Sequence, residues 1–184
     1  MSRNNYIKWF IEIGKQDIPL VGGKGANLGE LTGNEIKVPP GFCVTAQAYR
    51  DFIEGASLGD RIRNIILSID FESPDDLSSK CSQIRNLITN APFPPDIEEQ
   101  VIHAYRSLSE KVGLKEPRVA VRSSATAEDL PDASFAGQQD TYLHIVGEEE
   151  VVLHVKKCWA SLWTARATYY REKKDFDHFD VSLS

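Results

Sequence analysis

Between residues 57 and 113 apolar side chains return every three or four positions, three times in succession. Leu58, Ile62, Ile65 and Ile69 form the first stripe, and Leu77, Cys81, Ile84 and Ile88 the second. Ile97, Val101, Tyr105 and Leu108 form the third, after a break at Pro94 and Pro95. That period predicts three short amphipathic helices with polar outer faces. The middle helix has a marked start: Ser73 as cap, Pro74 at the first helical position, then Asp75 and Asp76 at the positive end of the dipole. An all-β fold is thereby excluded. Nothing in the three stripes carries a catalytic grouping, so the span reads as a helical insertion.

The sequence on either side is mixed, which makes the expected class α+β. Residues 1–56 hold a glycine loop, a strand and a helix. Gly22-Gly23-Lys24-Gly25 should open a short helix running through Leu28 and Leu31. Val38-Pro39-Pro40-Gly41 makes a turn, and Phe42-Cys43-Val44 a strand. Thr45 can cap a helix with Ala48, Tyr49, Phe52 and Ile53 on one face and Gly55 at its end. Residues 114–184 return to strands. Arg118 to Arg122 and Thr141 to Val146 are the expected strands, with a polar stretch between them. A long helix then follows Gly147, its buried face lined by Val151, Val155, Trp159 and Leu162 and its end marked by Lys173 and Lys174. The last residues, Val181 to Ser184, resemble no closing element and read as an interrupted chain.

Charge narrows the partners. Lys and Arg total 21 against 27 Asp and Glu, a net charge of −6. Phosphate backbones attract basic faces, so a nucleic-acid role is disfavoured. No uncharged stretch approaches the ~20 residues of a membrane span, and the start carries no secretory leader. A cytoplasmic setting is the expectation. Cys43, Cys81 and Cys158 are odd in number and widely spaced, which suits reduced thiols and neither a disulfide framework nor a zinc site.

Three stretches could carry chemistry. The first is Gly22-Gly23-Lys24-Gly25. Glycines let backbone amides approach an anion, a helix N-terminus adds partial positive charge, and Lys24 adds a full one. It is neither a P-loop, since Ile18 stands where the upstream glycine belongs, nor a dinucleotide fingerprint, since Leu28 interrupts it. Alone it reads as well as a glycine turn with a solvated lysine. The second is Val121-Arg122-Ser123-Ser124-Ala125-Thr126, where an arginine at a strand end precedes small hydroxyl residues. A guanidinium there can hold phosphate oxygens bidentately, or can be an ordinary surface arginine. The third runs from Pro131 through Ser134, Phe135, Gly137 and Gln138 to Thr141. Its small residues suit a lid over a ligand, or a plain hairpin connection.

The remaining candidates fall away. His103, His144, His154 and His178 read as surface or half-buried histidines, and Trp159, Trp163, Tyr169 and Tyr170 as packing aromatics. Glu148-Glu149-Glu150 is a helix start, and Asp175, Asp177 and Asp180 lie in a solvated turn. The spacing supports no catalytic set and no metal site.

Taken in order, Val21 to Glu30, Val38 to Phe42 and Ala120 to Thr141 resemble the phosphoenolpyruvate synthase and pyruvate, phosphate dikinase family. The resemblance runs from about Val21 to His178 and is strongest over Ala120–Leu143. It implies the first portion of an ATP-grasp domain in a larger enzyme. In such enzymes ATP gives phosphate to a carrier histidine on a swivelling domain, and a C-terminal barrel passes it to pyruvate. The resemblance makes Lys24 and Arg122 phosphate contacts. It puts Gly137 and Thr141 in the lining of the ATP site, and Ser134 to Gln138 in the loop that closes over the phosphates. It places the Mg²⁺ ligands, the adenine pocket, the carrier histidine and the barrel outside these residues. The chain alone should then hold half an ATP site and show no turnover. Rifampicin phosphotransferase shares the glycine stretch and a segment like Cys158 to Leu162, so an antibiotic acceptor is an alternative. A stand-alone, non-catalytic nucleotide-binding or interaction module is another.

Overall fold

The computed structural model describes residues 5–126, 129–130, 133–134 and 140–184. Its order is β1 (Ile7–Trp9), α1 (Ile18–Gly33), β2 (Phe42–Val44), α2 (Ala46–Gly55), α3 (Gly59–Leu67), α4 (Pro74–Asn90) and α5 (Pro95–Val112). There follow β3 (Val119–Arg122), β4 (Asp129–Leu130), β5 (Ala133–Ser134), β6 (Thr141–Ile145), α6 (Glu148–Ala160) and α7 (Ala165–Lys173). The strands pair antiparallel as β1–β2, β3–β6 and β4–β5. Helices and small antiparallel sheets together fit the α+β class. No helix among the described residues is long and apolar enough to cross a membrane.

The three stripes form α3, α4 and α5, and their apolar residues point inward. Ile62, Ile84, Ile88 and Val101 are wholly buried. They share one core with α2, α6 and the tail. Trp159 of α6 is its hub: Phe93 stacks on it at 5.4 Å, and Phe52 lies at 5.2 Å. Ser73 caps α4 as its sequence demands, accepting from the Asp76 amide. Thr45 stands at the N-cap of α2, but its buried hydroxyl finds no partner among the described residues.

The structure adds three features to the sequence reading. Ile7–Trp9 is a strand, β1, registered on β2 with Lys8 opposite Cys43. The expected long helix is two. After Ala160 a 3-10 turn spans Ser161–Trp163, and Thr164 is extended at ψ 150°. The Thr164 hydroxyl then caps α7 by accepting from the Ala167 amide. Thr prefers that role to a helix interior, so it ends one helix and starts another. The tail, finally, is integrated. Leu183 bridges Ala125, and Val181 and Leu183 are 2% and 0% exposed.

Two histidines expected at or near the surface are buried with partners, His154 on the Glu150 carbonyl and His178 on Arg171. Arg171 is itself fully buried. Its guanidinium donates to the Leu162 carbonyl at 2.8 Å, to the Thr168 hydroxyl and to His178 Nδ1 at 3.2 Å, and lies over Trp163. Since Nδ1 accepts, the imidazole proton sits on Nε2, which faces Glu172 at 3.3 Å. Burial lowers the His178 pKa, and so does the adjacent guanidinium, against the opposing pull of Glu172 and Asp177.

That arrangement has a pH consequence. Below the ordinary histidine pKa of about 6.5 the unfolded chain binds a proton that folded His178 does not. Stability should therefore fall as pH drops from 7 through 6.5 toward the lower folded pKa. His178→Gln, which keeps an acceptor but cannot titrate, should flatten that slope in urea unfolding measured from pH 7 to 5. At any pH in that range, Trp159→Ala should cost about 3–5 kcal/mol in the same assay, the usual scale for emptying a buried tryptophan site.

Candidate functional site

The first two candidate stretches meet. The Gly23 amide donates to the Ala125 carbonyl at 3.3 Å, and the Gly25 amide to the Ser124 hydroxyl at 3.2 Å. Ser124 in turn exchanges both backbone hydrogen bonds with Ser184, at 3.0 and 2.9 Å. The Ser184 hydroxyl closes the loop by donating to the Val21 carbonyl at 2.6 Å. Residues 60 to 163 positions apart are thus laced into one layer of three segments.

The glycines make the approach possible. Helical hydrogen bonding runs from Ile18 to Gly33, yet Gly22 breaks the helical backbone with φ 68° and ψ 174°, a region open essentially to glycine alone. A Cβ there would sit 2.3 Å from Ser124 Oγ and 2.6 Å from its carbonyl carbon. A Cβ on Gly25 would press Val21 at 2.9 Å and Cys43 Sγ at 3.0 Å. One on Gly29 would strike the Ile13 carbonyl at 2.5 Å. The sequence left Gly22, Gly23 and Gly25 open between an anion-binding loop and a plain glycine turn. The structure assigns Gly22, Gly25 and Gly29 to close packing, and the Gly23 and Gly25 amides to hydrogen bonds within the protein. Between the two anchored amides lies Lys24, half-buried.

A largely buried ion pair steadies the start of α1. Lys8 Nζ meets Asp17 Oδ1 at 2.6 Å, and Asp17 Oδ2 accepts from the Gly14 amide at 3.0 Å. Those hydrogen bonds hold the Asp17 carboxyl below the usual carboxylate range. Ile13, Val21 and Ala26 pack together beneath the loop as a small core of their own.

Arg122 ends β3 and is exposed. Its register partner is Thr141, the first residue of β6 and also exposed. Directly paired residues of antiparallel strands have Cβ atoms about 5 Å apart on one face. Arg122 lies two residues, about 7 Å of strand, from the Ser124 anchor of the glycine loop. Lys24, Arg122 and Thr141 therefore gather at one end of the β3–β6 ribbon. The other face of the ribbon, with Val119, Val121 and Tyr142, packs on the main core. Ser134 belongs to the two-residue strand β5, opposite Asp129. Gly137 and Gln138 lie outside the described residues.

Sequence reasoning missed three parts of this site. The Ser124 and Ser184 hydroxyls look like ordinary loop serines until the pairing of their segments is known. The third is a bulge. Val119 pairs with Ile145 and Val121 with Tyr142, so Leu143 and His144 together oppose Ala120 alone. His144 takes φ 60° to accommodate the extra residue. Reactive thiols are absent from the set. Burial pushes the Cys43 and Cys158 thiols up to about 12 and raises that of Cys81.

Comparison with known proteins agrees with this architecture. A family model described as "Pyruvate phosphate dikinase, AMP/ATP-binding domain" matches residues 18–184. The chain belongs to that family. It is 48% identical over 211 residues to the phosphoenolpyruvate synthase of Pyrococcus furiosus. It is 54% identical over 178 residues to a probable phosphoenolpyruvate synthase of Archaeoglobus fulgidus, and 48% identical over 182 residues to the phosphoenolpyruvate synthase of Aquifex aeolicus. Each match covers 97% of this chain but only 26%, 24% and 21% of the respective relative. The chain thus spans about a quarter of the curated relatives it matches. Membership in a phosphotransferase family with an AMP/ATP-binding domain is the resemblance the motifs carried.

The glycine packing is directly testable. Gly22→Ala should destabilise by about 3 kcal/mol, since it combines a forbidden backbone with a clash against Ser124. Gly33→Ala, which meets nothing within 4 Å, should instead stabilise by about 0.5–1 kcal/mol. Chemical denaturation of the two variants beside the parent checks both signs.

Proposed function

We propose that this chain binds the phosphates of ATP at the end of the β3–β6 ribbon, as part of an ATP-grasp domain in a phosphoenolpyruvate synthase-like enzyme. The reading rests on the backbone placement of Lys24, Arg122 and Thr141 near one another. The docked glycine loop supplies the first, and one register pair of the ribbon supplies the other two. Phosphoryl transfer needs positioning and charge neutralisation more than covalent help from side chains. A lysine on an anchored loop and a guanidinium on a strand end suit polyphosphate, with the Thr141 hydroxyl as a further donor. Ser134, Gly137 and Gln138 are assigned to the segment that closes over the phosphates.

In the full enzyme the γ- or β-phosphoryl group would pass to a carrier histidine on another domain and then to pyruvate. The relatives named above are phosphoenolpyruvate synthases, which favours pyruvate over an antibiotic as acceptor. Among the described residues no three His, Cys, Asp or Glu side chains converge. The Mg²⁺ ligands of the full enzyme are assigned to sequence outside this chain, where carboxylates and the bound phosphates would share the ion. The same domain division would make 57–113 the helical insertion and 114–184 the phosphate-binding part. A cytoplasmic setting belongs to the same proposal.

The test is an amide chemical-shift titration of the chain with ATP, with Lys24→Ala and Arg122→Ala as comparisons. Saturable shifts should cluster at Gly22–Gly25, Arg122–Ser124 and Gly137–Thr141. Each substitution should weaken binding about tenfold or more, the scale of one charge-assisted contact. Shifts scattered elsewhere, or none at millimolar ATP, would overturn the reading. Purified chain incubated with ATP should release neither AMP nor phosphate.

A further inference from the structure

We propose that Ser124 is a positioning residue of the nucleotide site: its buried hydroxyl holds the loop that carries Lys24 against the strand that carries Arg122. This assignment rests on the ATP-phosphate reading above.

The loop is anchored at alternate residues. The Val21 carbonyl accepts from Ser184 Oγ, the Gly23 amide donates to the Ala125 carbonyl, and the Gly25 amide donates to Ser124 Oγ. Lys24 lies between the last two anchors. Two of the three anchors use backbone alone or the tail, and they survive any side-chain change at position 124. The third needs an acceptor at the end of a short side chain. Ser124 is 5% exposed, so water has little access to replace a missing hydroxyl.

Position 124 is also held through its backbone. Its amide and carbonyl are both bonded to Ser184, and the Gly22 backbone lies close enough that a Cβ there would meet it at 2.3 Å. An acceptor fixed this firmly dictates where the Gly25 amide, and hence the Lys24 backbone, must sit. Lysine is a flexible point charge on four methylenes, and its effective placement depends on the backbone it leaves. Without the hydroxyl the loop keeps its fold but gains freedom on the C-terminal side of Lys24. Misplacement by about 1 Å is enough to cost roughly a hundredfold in a positioned reaction. The neighbouring Ser123 does a different job, since its hydroxyl donates to the Asp140 carbonyl at 3.2 Å and holds β3 to the start of β6.

The experiment compares four versions of the chain by ¹⁵N spectra and by calorimetric titration with ATP: the parent, Ser124→Ala, Ser124→Thr and Ser161→Ala. Ser161 is a control of the same kind, 1% exposed with its hydroxyl donated to the Cys158 carbonyl at 2.6 Å, away from the loop. Ser124→Ala should move the Gly25 amide proton upfield and speed its exchange with solvent. It should also raise the ATP dissociation constant roughly tenfold, through the looser placement of Lys24 and not through the lost bond itself. Ser124→Thr, which restores the acceptor, should recover both. Ser161→Ala should lower the thermal midpoint and leave ATP affinity within twofold of the parent. Should Ser124→Ala prove too unstable to titrate, Ser124→Cys, a near-isostere with a weak acceptor, gives the same ordering.

The outcomes separate cleanly. A Gly25 amide unchanged in Ser124→Ala overturns the clamp. A displaced Gly25 amide with parental ATP affinity overturns the positioning role and leaves the phosphate reading standing. A parent chain that binds no ATP overturns both.

Discussion

The site depends on one close approach, the backbone of Gly22 against Ser124. No side chain separates them, and none could. That contact sets the distance between a loop near the start of the chain and a strand a hundred residues later. The hydrogen bonds from Gly23 and Gly25 are short enough to form only because the approach has been made. Glycine-rich loops are usually credited with offering amides to an anion. Here the amides at two of those positions are committed inside the protein, and the glycines serve the geometry of the join.

The join is supported from below by two cores of unequal size. The small one, under α1, contains Ile13, Val21 and Ala26. The large one gathers α2 to α6 and the tail around Trp159 and Trp163. Leu183 belongs to the large core and Val21 to the small one, and Ser184 bonds to Val21. The tail is therefore one tie between the cores, beside β2, whose Val44 lies in the large core and whose Cys43 packs on the small one. Arg171 fixes the same region from the other side, bonded to the Leu162 carbonyl and stacked on Trp163.

Much of this was legible from residues in order. The three stripes of residues 57–113 specify helices because their period is unbroken and their starts are marked by Ser73-Pro74 and Pro94-Pro95. The assignment of Lys24, Arg122 and Thr141 to one site came from motif context and not from periodicity. Three features were not legible, each for a physical reason. Ile7-Lys8-Trp9 is too short to show alternation, and only its pairing with β2 makes it a strand. The break at Thr164 is hidden because Trp159 and Trp163 before it and Ala167 and Arg171 after it, all buried, keep a four-residue helical spacing across it. The role of Val181–Ser184 is invisible locally, since these four residues take their structure from partners far away in sequence, Ser124–Thr126 and Val21. Gly137 and Gln138, both assigned to the site from motif context, lie outside the described residues.

The bulge in β6 changes the parity of that strand. An ordinary strand alternates without exception, so any residue added to its outer face shifts its neighbours inward. With two residues opposite Ala120, Leu143 and His144 both lie outside, at the cost of one left-handed residue, while Ile145 still turns into the core. The outer surface and the inner anchor of the ribbon are thereby uncoupled. The side chains of Leu143 and His144 are free to vary with whatever lies against them, while Ile145 keeps its place in the core. A ribbon built this way can be retuned on one side without being refolded on the other.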